Sequence, residues 1–263
     1  MTVILSIDKL TYNRGKQRIL KSIDISLYKS QFIGLIGPNG TGKSTLLRLM
    51  AGLLKPNTGM ISYKNHDIKQ MSALEIAKAI TYMPQSTILD YEFTVSQVVL
   101  MGRHPHRKKW HFTDRVDEVI ADKAMEQTGI YHLKDRYITS LSGGERQLVV
   151  LAKAITQQSE VMLLDEPTSD LDIYHQVQIA EVIRELVQEG KSVLAAIHDI
   201  NLATRYCDQL MLMGNGELIS RGTPEEVITN DNLLNVFHTH TYAYNDTCFN
   251  KRQIIPYEID PNI

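Results

Sequence analysis

The chain has 263 residues, of which 43% are hydrophobic and 22% charged, values typical of a soluble globular protein with a substantial core. Its formal net charge of -2 provides no basic field, so we expect no nucleic-acid partner. No apolar run approaches the roughly 20 residues that cross a bilayer, so any membrane span would belong to another polypeptide.

The first residues of the chain, 1–8, lack the basic start and long apolar core of a signal peptide, so we expect a cytoplasmic protein. The cysteines Cys207 and Cys248 lie far apart, with no C-x-x-C spacing. This arrangement favours two reduced thiols over a zinc or redox site.

The first part of the chain alternates apolar and polar residues, as at 4–7 and 23–27. This alternation predicts antiparallel strands with one solvated face. The apolar run 32–36 then predicts a buried strand, and residues 44–50 predict a helix. A glycine-rich loop joins the two.

This loop fills every fixed position of the nucleotide-binding pattern G-x-x-x-x-G-K-[ST]. Its glycines let backbone N–H groups point at phosphates, Lys43 adds a mobile positive charge, and the Ser44 hydroxyl can ligate Mg²⁺. The phosphates would then lie at a helix N-terminus. We therefore predict binding of a nucleoside triphosphate, against the alternative of an ordinary Gly/Pro turn. The predicted contacts are Gly37, Pro38, Asn39, Gly40, Thr41, Gly42, Lys43, Ser44 and Thr45.

Further along, Ser72 is predicted to cap a short helix that runs through Ile80. From about Thr94 to Ser140 the pattern becomes helical, with one helix at 114–128. The helices predict a subdomain inserted into an α/β core.

Apolar runs return at 161–164 and 193–197, as expected for strands covered by helices on both faces. Residues 173–189 between them predict a crossover helix and hence a βαβ unit. The predicted fold class is α/β: a mixed sheet with helices on both faces, an N-terminal antiparallel β part and an inserted helical subdomain. As a single domain it divides into a core at 1–90 and 158–240, a helical subdomain at 91–157 and a C-terminal tail at 241–263, to which we assign no function.

Two carboxylates, Asp165 and Glu166, follow the first of these apolar strands. Ligands bind at the carboxyl edge of open α/β sheets. Asp165 suits Mg²⁺, usually through water, and Glu166 can orient and deprotonate an attacking water. Many strands end in acidic loops, but the phosphate loop earlier in the chain favours the catalytic interpretation.

A second anion-binding turn is predicted at Ser142, Gly143, Gly144 and Glu145, and it opens a helix predicted over Glu145 to Thr156. One nucleotide does not need two such sites on one chain. Two nucleotides shared between two chains do.

With these motifs in this order, the sequence resembles the ATP-binding subunits of ABC transporters, whose signature L-S-G-G-[EQ] lies at 141–145. The resemblance covers roughly residues 3–228 and implies a P-loop NTPase core. It also implies that Tyr12 stacks on adenine, a contact worth about 1–3 kcal/mol. Taken alone, Tyr12 would be a partly buried strand tyrosine.

The resemblance assigns further roles. Gln85 matches a glutamine that senses Mg²⁺ and links the core to the helical subdomain, and 169–172 match a loop that communicates across a dimer. His198 matches a histidine that reaches the γ-phosphate. Taken alone, Gln85 would be a surface glutamine and His198 a structural histidine at a strand end.

The resemblance implies a head-to-tail homodimer that uses ATP and Mg²⁺. Its implied catalytic residues are Glu166, His198, Lys43 and Gln85, and its metal site is Ser44, Gln85 and Asp165. Ser142 and Gly144 of one copy would cover the γ-phosphate held by the other. The implied partners are integral membrane permease subunits and, indirectly, an extracytoplasmic substrate-binding protein, with the chain peripheral on the cytoplasmic face.

Residues 101–106 and 171–176 look like the subfamily that powers uptake of iron–siderophore, haem and cobalamin complexes. We expect ferric-siderophore import, with haem, cobalamin or metal-ion import as alternatives. The sequence departs from the pattern of this subfamily at 148–150, where many members carry an arginine after the signature glutamine.

Three other functional classes are alternatives: a soluble ABC ATPase, a scaffold without turnover and an exporter subunit. The single phosphate loop argues against the first, and the presence of Glu166 and His198 argues against the second.

Histidines 104, 106 and 111, and 238 and 240, form two clusters without helical i, i+4 spacing or attached carboxylates or cysteines. We expect neither to bind metal. The basic segment 107–109 is expected to be a solvated loop, with contact to the membrane surface or the permease as the alternative.

Overall fold

The computed structural model describes residues 2–85, 92–107, 114–247 and 251–257. Over these ranges, the strands form a six-stranded, a four-stranded and a two-stranded sheet. The strands are β1 (Val3–Arg14), β2 (Gln17–Tyr28), β3 (Phe32–Ile36), β4 (Thr58–Tyr63), β5 (His66–Asp67), β6 (Ile80–Met83), β7 (Val161–Asp165), β8 (Ser192–Ala196), β9 (Gln209–Gly214), β10 (Glu217–Gly222), β11 (His240–Asp246) and β12 (Lys251–Tyr257).

Helices cover the sheets and connect most of the strands. The helices are α1 (Lys43–Met50), α2 (Ala73–Ala79), α3 (Val95–Leu100), α4 (Arg115–Gln127), α5 (Gly143–Thr156), α6 (Ile173–Gln188), α7 (Ile200–Tyr206), α8 (Pro224–Val227) and α9 (Asn230–Phe237), with 3₁₀ turns at Ile68–Gln70, Met101–His106, Tyr131–Leu133 and Ile138–Ser140.

The six-stranded sheet has the order β10-β9-β3-β8-β7-β6. β3, β8, β7, β6 and β9 are parallel, and β10 pairs antiparallel at one edge. Every residue of β3, β7 and β8 is buried, which explains their continuous apolar runs. Because parallel strands end at a common edge, the loop after β3 and the acids after β7 meet there.

The core lies on both faces of this sheet. Side chains alternate along each strand, so Val161 and Leu163 of β7 face α1 and the four-stranded antiparallel sheet β2-β1-β4-β5, whereas Met162 and Leu164 face α5 and α6. The predicted mixed sheet with an antiparallel β part is confirmed.

Between Thr94 and Thr156 the described chain is mainly helical, and α3, α4 and α5 contribute Val98, Met125 and Leu148 to a common core. Hydroxyl caps begin two of these helices, because Thr94 and Ser142 each form a capping box with the residue three positions on. The division into a core and an inserted subdomain at 91–157 stays a prediction.

The turn Met101–His106 fastens the end of α5. Arg103 is buried and donates to Asp117 Oδ1 at 2.7 Å and to the Thr156 carbonyl at 3.1 Å. His106 Nε2 lies 2.8 Å from the Gln157 carbonyl, so it bonds to backbone. No metal-binding group of His, Cys, Asp or Glu occurs in the described ranges, and His111, Lys108 and Lys109 lie outside them.

The C-terminal residues, whose sequence pattern is weak, include two strands within their described part. β11 and β12 form a hairpin, and β12 joins α7 through paired bonds between Asn201 and Ile254: Nδ2 to the carbonyl at 3.2 Å and amide to Oδ1 at 2.9 Å. Cys207, after α7, is buried, and burial raises the pKa of its thiol. Cys248 lies outside the described residues.

Helix boundaries differ slightly from those predicted. α2 ends at Ala79, because Ile80 already belongs to β6, and α5 begins at Gly143 because Ser142 supplies its cap. Within the described residues, no helix combines the length and apolarity that crossing a bilayer requires.

Candidate active site

The phosphate loop joins β3 to α1 with a backbone that glycine permits. Gly42, the residue before α1, has φ 101°, and a methyl group there would lie 2.7 Å from Leu20 Cδ2. No side chain caps α1, so its first amides have no side-chain acceptor. A free helix start of this kind is suited to binding an anion.

Lys43 folds back over the loop that precedes it. The side chain is 4% exposed, and Nζ donates to the carbonyls of Gly37 at 2.7 Å and Pro38 at 3.0 Å. Burial lowers the pKa of Lys43, while the nearby Glu166 and Asp165 carboxylates oppose that shift. The ammonium is therefore held at the loop, next to two acids.

Asp165 ends β7 with its carboxylate fully buried and bonded on both oxygens. Ser44 Oγ donates to Oδ1 at 2.9 Å, and the Tyr82 hydroxyl donates to Oδ2 at 2.9 Å. A serine hydroxyl and a carboxylate are hard oxygen ligands of the kind that Mg²⁺ prefers, so this pair fits the predicted metal.

Tyr82 was missed by the sequence analysis. It lies on β6, beside β7, and its hydroxyl also accepts from Arg48 Nε at 3.1 Å. Burial raises the pKa of Tyr82. Its position directly before the Met-Pro-Gln segment that contains Gln85 was the available signal.

Glu166 is brought together with Gln85 and His198. Gln85 Nε2 donates to Glu166 Oε2 at 2.5 Å, and His198 Nε2 contacts Oε1. Glu166 is 7% exposed, so most of its carboxylate surface is covered. These residues lie after β6, β7 and β8, at one edge of the sheet.

The backbone of Glu166 has φ 53°, a left-handed conformation that costs a non-glycine residue on the order of 1–3 kcal/mol. Its surroundings hold it there. The Glu166 amide donates to the Ala196 carbonyl at 3.2 Å, and its own carbonyl accepts from Ser169 Oγ at 3.1 Å. The strain turns the carboxylate towards Gln85 and His198.

A cleft of about 380 Å³ opens beside this group. Asn39 of the phosphate loop and Ser169 and Asp170 of the loop after Glu166 line it. Its lining includes Gln85, Glu166 and His198 but no residue of the turn 142–145. Asn39 of the nucleotide loop and the Glu166 carboxylate therefore share one cavity.

Tyr12 lies on β1, half-buried, and pairs with Leu20 of β2. Leu20 and its neighbour Ile19 approach the Gly42 position of the phosphate loop. The structure thus places the hairpin that carries Tyr12 against the loop; adenine stacking stays a prediction.

The second turn begins α5. Ser142 Oγ accepts the Glu145 amide at 3.3 Å, and Glu145 Oε2 accepts the Ser142 amide at 2.8 Å. The bond from the Ser142 amide lowers the pKa of Glu145. Ser142 and Gly143 are exposed, whereas Gly144 is buried. The start of the turn is therefore accessible and does not line the Glu166 cleft of its own chain.

A phosphate loop, a buried acid pair and a separate Ser-Gly-Gly helix start on a mixed sheet define an ATP-binding cassette. The sequence matches the ABC transporter family over residues 20–169. The chain belongs to this family.

Relatives of known name are similar over most of the chain. The achromobactin transport ATP-binding protein of Dickeya dadantii is 37% identical over 98% of this chain and 96% of its own length. The ferric enterobactin transport ATP-binding protein of Escherichia coli is 33% identical over 95% of this chain and 92% of its own. A cobalamin import ATP-binding protein of Halobacterium salinarum is 42% identical over 89% of this chain, which spans 58% of that relative's length.

Solved structures show the same fold. A metal-chelate type ABC transporter in an inward-facing conformation superposes with a TM-score of 0.86 at 27% identity, covering 98% of both chains. An ATP-binding cassette in its ADP conformation gives 0.82 at 28% identity, covering 90% of this chain and 98% of the other.

Proposed function

We propose that this chain is the ATP-binding and ATP-hydrolysing subunit of an ABC importer. The observation that carries this proposal is the position of Glu166, which is held by Gln85 and His198 one residue beyond the Ser44–Asp165 pair. Phosphoryl transfer needs positioned charge and an oriented water more than covalent chemistry. The cleft beside the phosphate loop is lined by His198 and by Glu166, the carboxylate that would orient the water.

In this proposal the loop 37–45 binds the phosphates through Lys43 and through the backbone N–H groups of its residues other than Pro38, and Tyr12 stacks on the adenine. Ser44 and Asp165, with Gln85, would hold Mg²⁺, which supplies charge neutralisation for the phosphates when bound. Glu166 orients the attacking water and accepts its proton. His198 contacts the γ-phosphate and holds the Glu166 carboxylate in place.

We also propose that two copies pair head to tail. Ser142 and Gly143 are exposed and do not line the cleft of their own chain, which supports a role at the nucleotide of a second copy. The γ-phosphate then makes contacts in the closed dimer that ADP cannot make, so ATP favours closure. Gly144 and Glu145 complete the turn.

The proposed cargo is an iron–siderophore complex, delivered through integral permease subunits at the cytoplasmic face of the membrane. The siderophore-transport relatives, which match this chain over nearly their whole length, support this choice, whereas the cobalamin import relative is matched over 58% of its length. Growth of a deletion strain on defined iron sources tests it: loss of growth on one ferric siderophore, restored by the gene, is expected. Unchanged growth on every ferric siderophore, with loss of cobalamin or haem use, would favour the alternatives.

The enzymatic proposal is tested by phosphate release from purified protein. We expect Mg²⁺-dependent ATP hydrolysis by the wild type, and a loss of roughly 10²-fold or more in Glu166→Gln, which cannot accept a proton. This variant should still dimerise on ATP and not on ADP, as measured by size-exclusion chromatography with light scattering. Full activity of Glu166→Gln would remove Glu166 from its proposed role.

A further inference from the structure

The imidazole of His175 lies against Gly144, the buried glycine of the second turn. A methyl group added at Gly144 would lie 2.4 Å from His175 Cγ and 2.6 Å from Nδ1, both within the ring rather than at a flexible end. At Gly143 a methyl group would meet nothing within 4 Å. The two glycines therefore differ: the space at Gly144 is filled by the chain itself.

Asp172 holds this imidazole in one orientation. Its carboxylate begins α6, accepting the His175 amide at 2.9 Å, and His175 Nδ1 lies 3.0 Å and 2.9 Å from its two oxygens. The His175 side chain is 19% exposed. These bonds lower the pKa of Asp172, so the carboxylate remains an acceptor for the ring at neutral pH.

The same two helices also hold the loop that follows Glu166. Gln147 of α5 donates to the Pro167 carbonyl at 3.0 Å, and Gln176 of α6 donates to the Leu171 carbonyl at 3.1 Å. His175 thus lies in a bonded connection between the catalytic loop and the start of α5. Asp172 holds the His175 ring on the α6 side, and Gly144 packs against it on the α5 side.

We propose that His175 is a positioning residue for the second turn. Its ring, oriented by Asp172, packs under Gly144 and fixes the direction in which the Ser142 hydroxyl and the Gly143 amide point. This inference rests on the proposed function, in which that turn covers the γ-phosphate bound by a second copy. His175 touches no nucleotide and acts through the backbone of Gly144.

The first test is a double-mutant cycle. Gly144→Ala forces the ring and the turn apart, and because misplacement by about 1 Å can cost 10²-fold, we expect a turnover loss of that order. Combining it with His175→Ala makes room for the methyl group and should restore most of the melting temperature and part of the turnover. A double variant as inactive and as unstable as Gly144→Ala would overturn the proposal.

Gly143→Ala serves as the matched control for the cycle, because its methyl group has free space within the subunit. It should fold with the wild-type melting temperature. Any turnover that it loses should not return when His175→Ala is added. Rescue of both glycine variants by His175→Ala would show a nonspecific effect and contradict the proposed contact.

The second test separates positioning from folding. His175→Ala should keep the wild-type affinity for ADP, since the phosphate loop is untouched, while kcat falls roughly tenfold and ATP-driven dimerisation weakens. His175→Asn retains a planar group beside Asp172 and should recover most of kcat. His66→Ala, which removes an exposed imidazole from β5, is the matched control and should behave as the wild type.

The outcomes distinguish the two proposals. A wild-type chain that neither hydrolyses ATP nor dimerises on it contradicts the proposed function. A wild type that does both, with His175→Ala equal to it in kcat and dimerisation, overturns this inference alone.

Discussion

The carboxylate of Asp165 shows how much a single residue depends on its neighbours. It is fully buried, and a buried acceptor that loses a donor costs about 1–3 kcal/mol. Ser44 and Tyr82 each donate one hydrogen bond to it. Ser44 is part of the phosphate loop, but Tyr82 comes from a neighbouring strand and has no role in the nucleotide-binding pattern.

Replacing Tyr82 with Phe should therefore destabilise the protein by about 1–3 kcal/mol, because Asp165 Oδ2 loses its donor. Urea unfolding followed by circular dichroism measures this. Tyr257→Phe, at a half-exposed tyrosine of β12, is the control and should change stability little. Equal unfolding midpoints for the two variants would show that Asp165 does not depend on the phenol.

At the scale of elements, α2 and α5 both begin with a capping box. Ser72 and Ser142 each accept the amide of a glutamate three residues on, and that glutamate bonds back to the serine amide. The boxes are locally alike, but only the one at Ser142 starts the proposed nucleotide-covering turn. This offers a matched comparison within one chain.

Ser72→Ala and Ser142→Ala should each lower stability by about 1 kcal/mol, the usual cost of a lost N-cap. We expect Ser72→Ala to retain the wild-type ATPase rate and Ser142→Ala to lose turnover as well. Thermal melting and phosphate release measure the two effects. Equal turnover in both variants would mean that the Ser142 hydroxyl is only a cap.

The ion pair between Arg103 and Asp117 joins the turn Met101–His106 to the start of α4, and Arg103 also bonds to the Thr156 carbonyl at the end of α5. Both side chains are buried, and breaking such a pair by removing one partner costs about 3–5 kcal/mol. Arg103→Met should show a loss of this size in denaturant unfolding. Without Arg103, the Asp117 carboxylate keeps the Arg107 guanidinium at 3.8 Å, and adding Asp117→Leu should recover part of the loss. No recovery would place the cost at the bonds from Arg103 to the Thr156 carbonyl and to Gln158 Oε1, at 3.1 Å and 2.9 Å, instead.

The elements that could be predicted from sequence are those whose signals are local. Gly42 and Lys43 mark the phosphate loop, and the apolar run before Asp165 marks its strand. The contact of Tyr82 with Asp165 depends on the pairing of β6 with β7, which no local pattern encodes. The hairpin of β11 and β12 was missed because its strands alternate weakly and because its contacts with α7, such as the Asn201–Ile254 bonds, join residues distant in sequence.

The packing of His175 on Gly144 was also beyond sequence analysis, because it requires α5 and α6 to lie side by side. The start of α5 was predictable in principle: Ser142 followed three residues later by Glu145 is a capping box. The role of Glu166 was inferred from its place after an apolar strand, and the roles of Gln85 and His198 from a family resemblance. The structure brings the three together, and their chemistry stays a proposal.

For the whole molecule, the proposed head-to-tail dimer makes each nucleotide site a product of two chains. Lys43→Ala damages the loop of one copy, and Ser142→Arg damages the turn of the other. A mixed dimer still has one interface in which both parts are intact. We expect mixing the two inactive variants to recover ATP hydrolysis that neither shows alone.

Phosphate release measured over a series of mixing ratios tests this, with a maximum expected where mixed dimers are most abundant. The control mixes Lys43→Ala with Glu166→Gln: one site then lacks Lys43 and the other lacks Glu166, so no recovery is expected. Absence of recovery in the first mixture, with dimers present by light scattering, would contradict a site shared between copies.

The burial of Cys207 has a practical consequence for chemical labelling. The Cys207 sulfur packs against β3, because a methyl group at Gly34 would lie 2.9 Å from Sγ. The raised pKa of the Cys207 thiol also keeps it protonated and unreactive towards alkylating reagents. With Cys248 replaced by serine, cysteines introduced at the exposed positions Asn39 and Gly143 would be the thiols available to a bifunctional maleimide. A cross-linked species of twice the subunit mass, formed with ATP and absent with ADP, would then show that position 39 of one copy lies within reach of position 143 of the other.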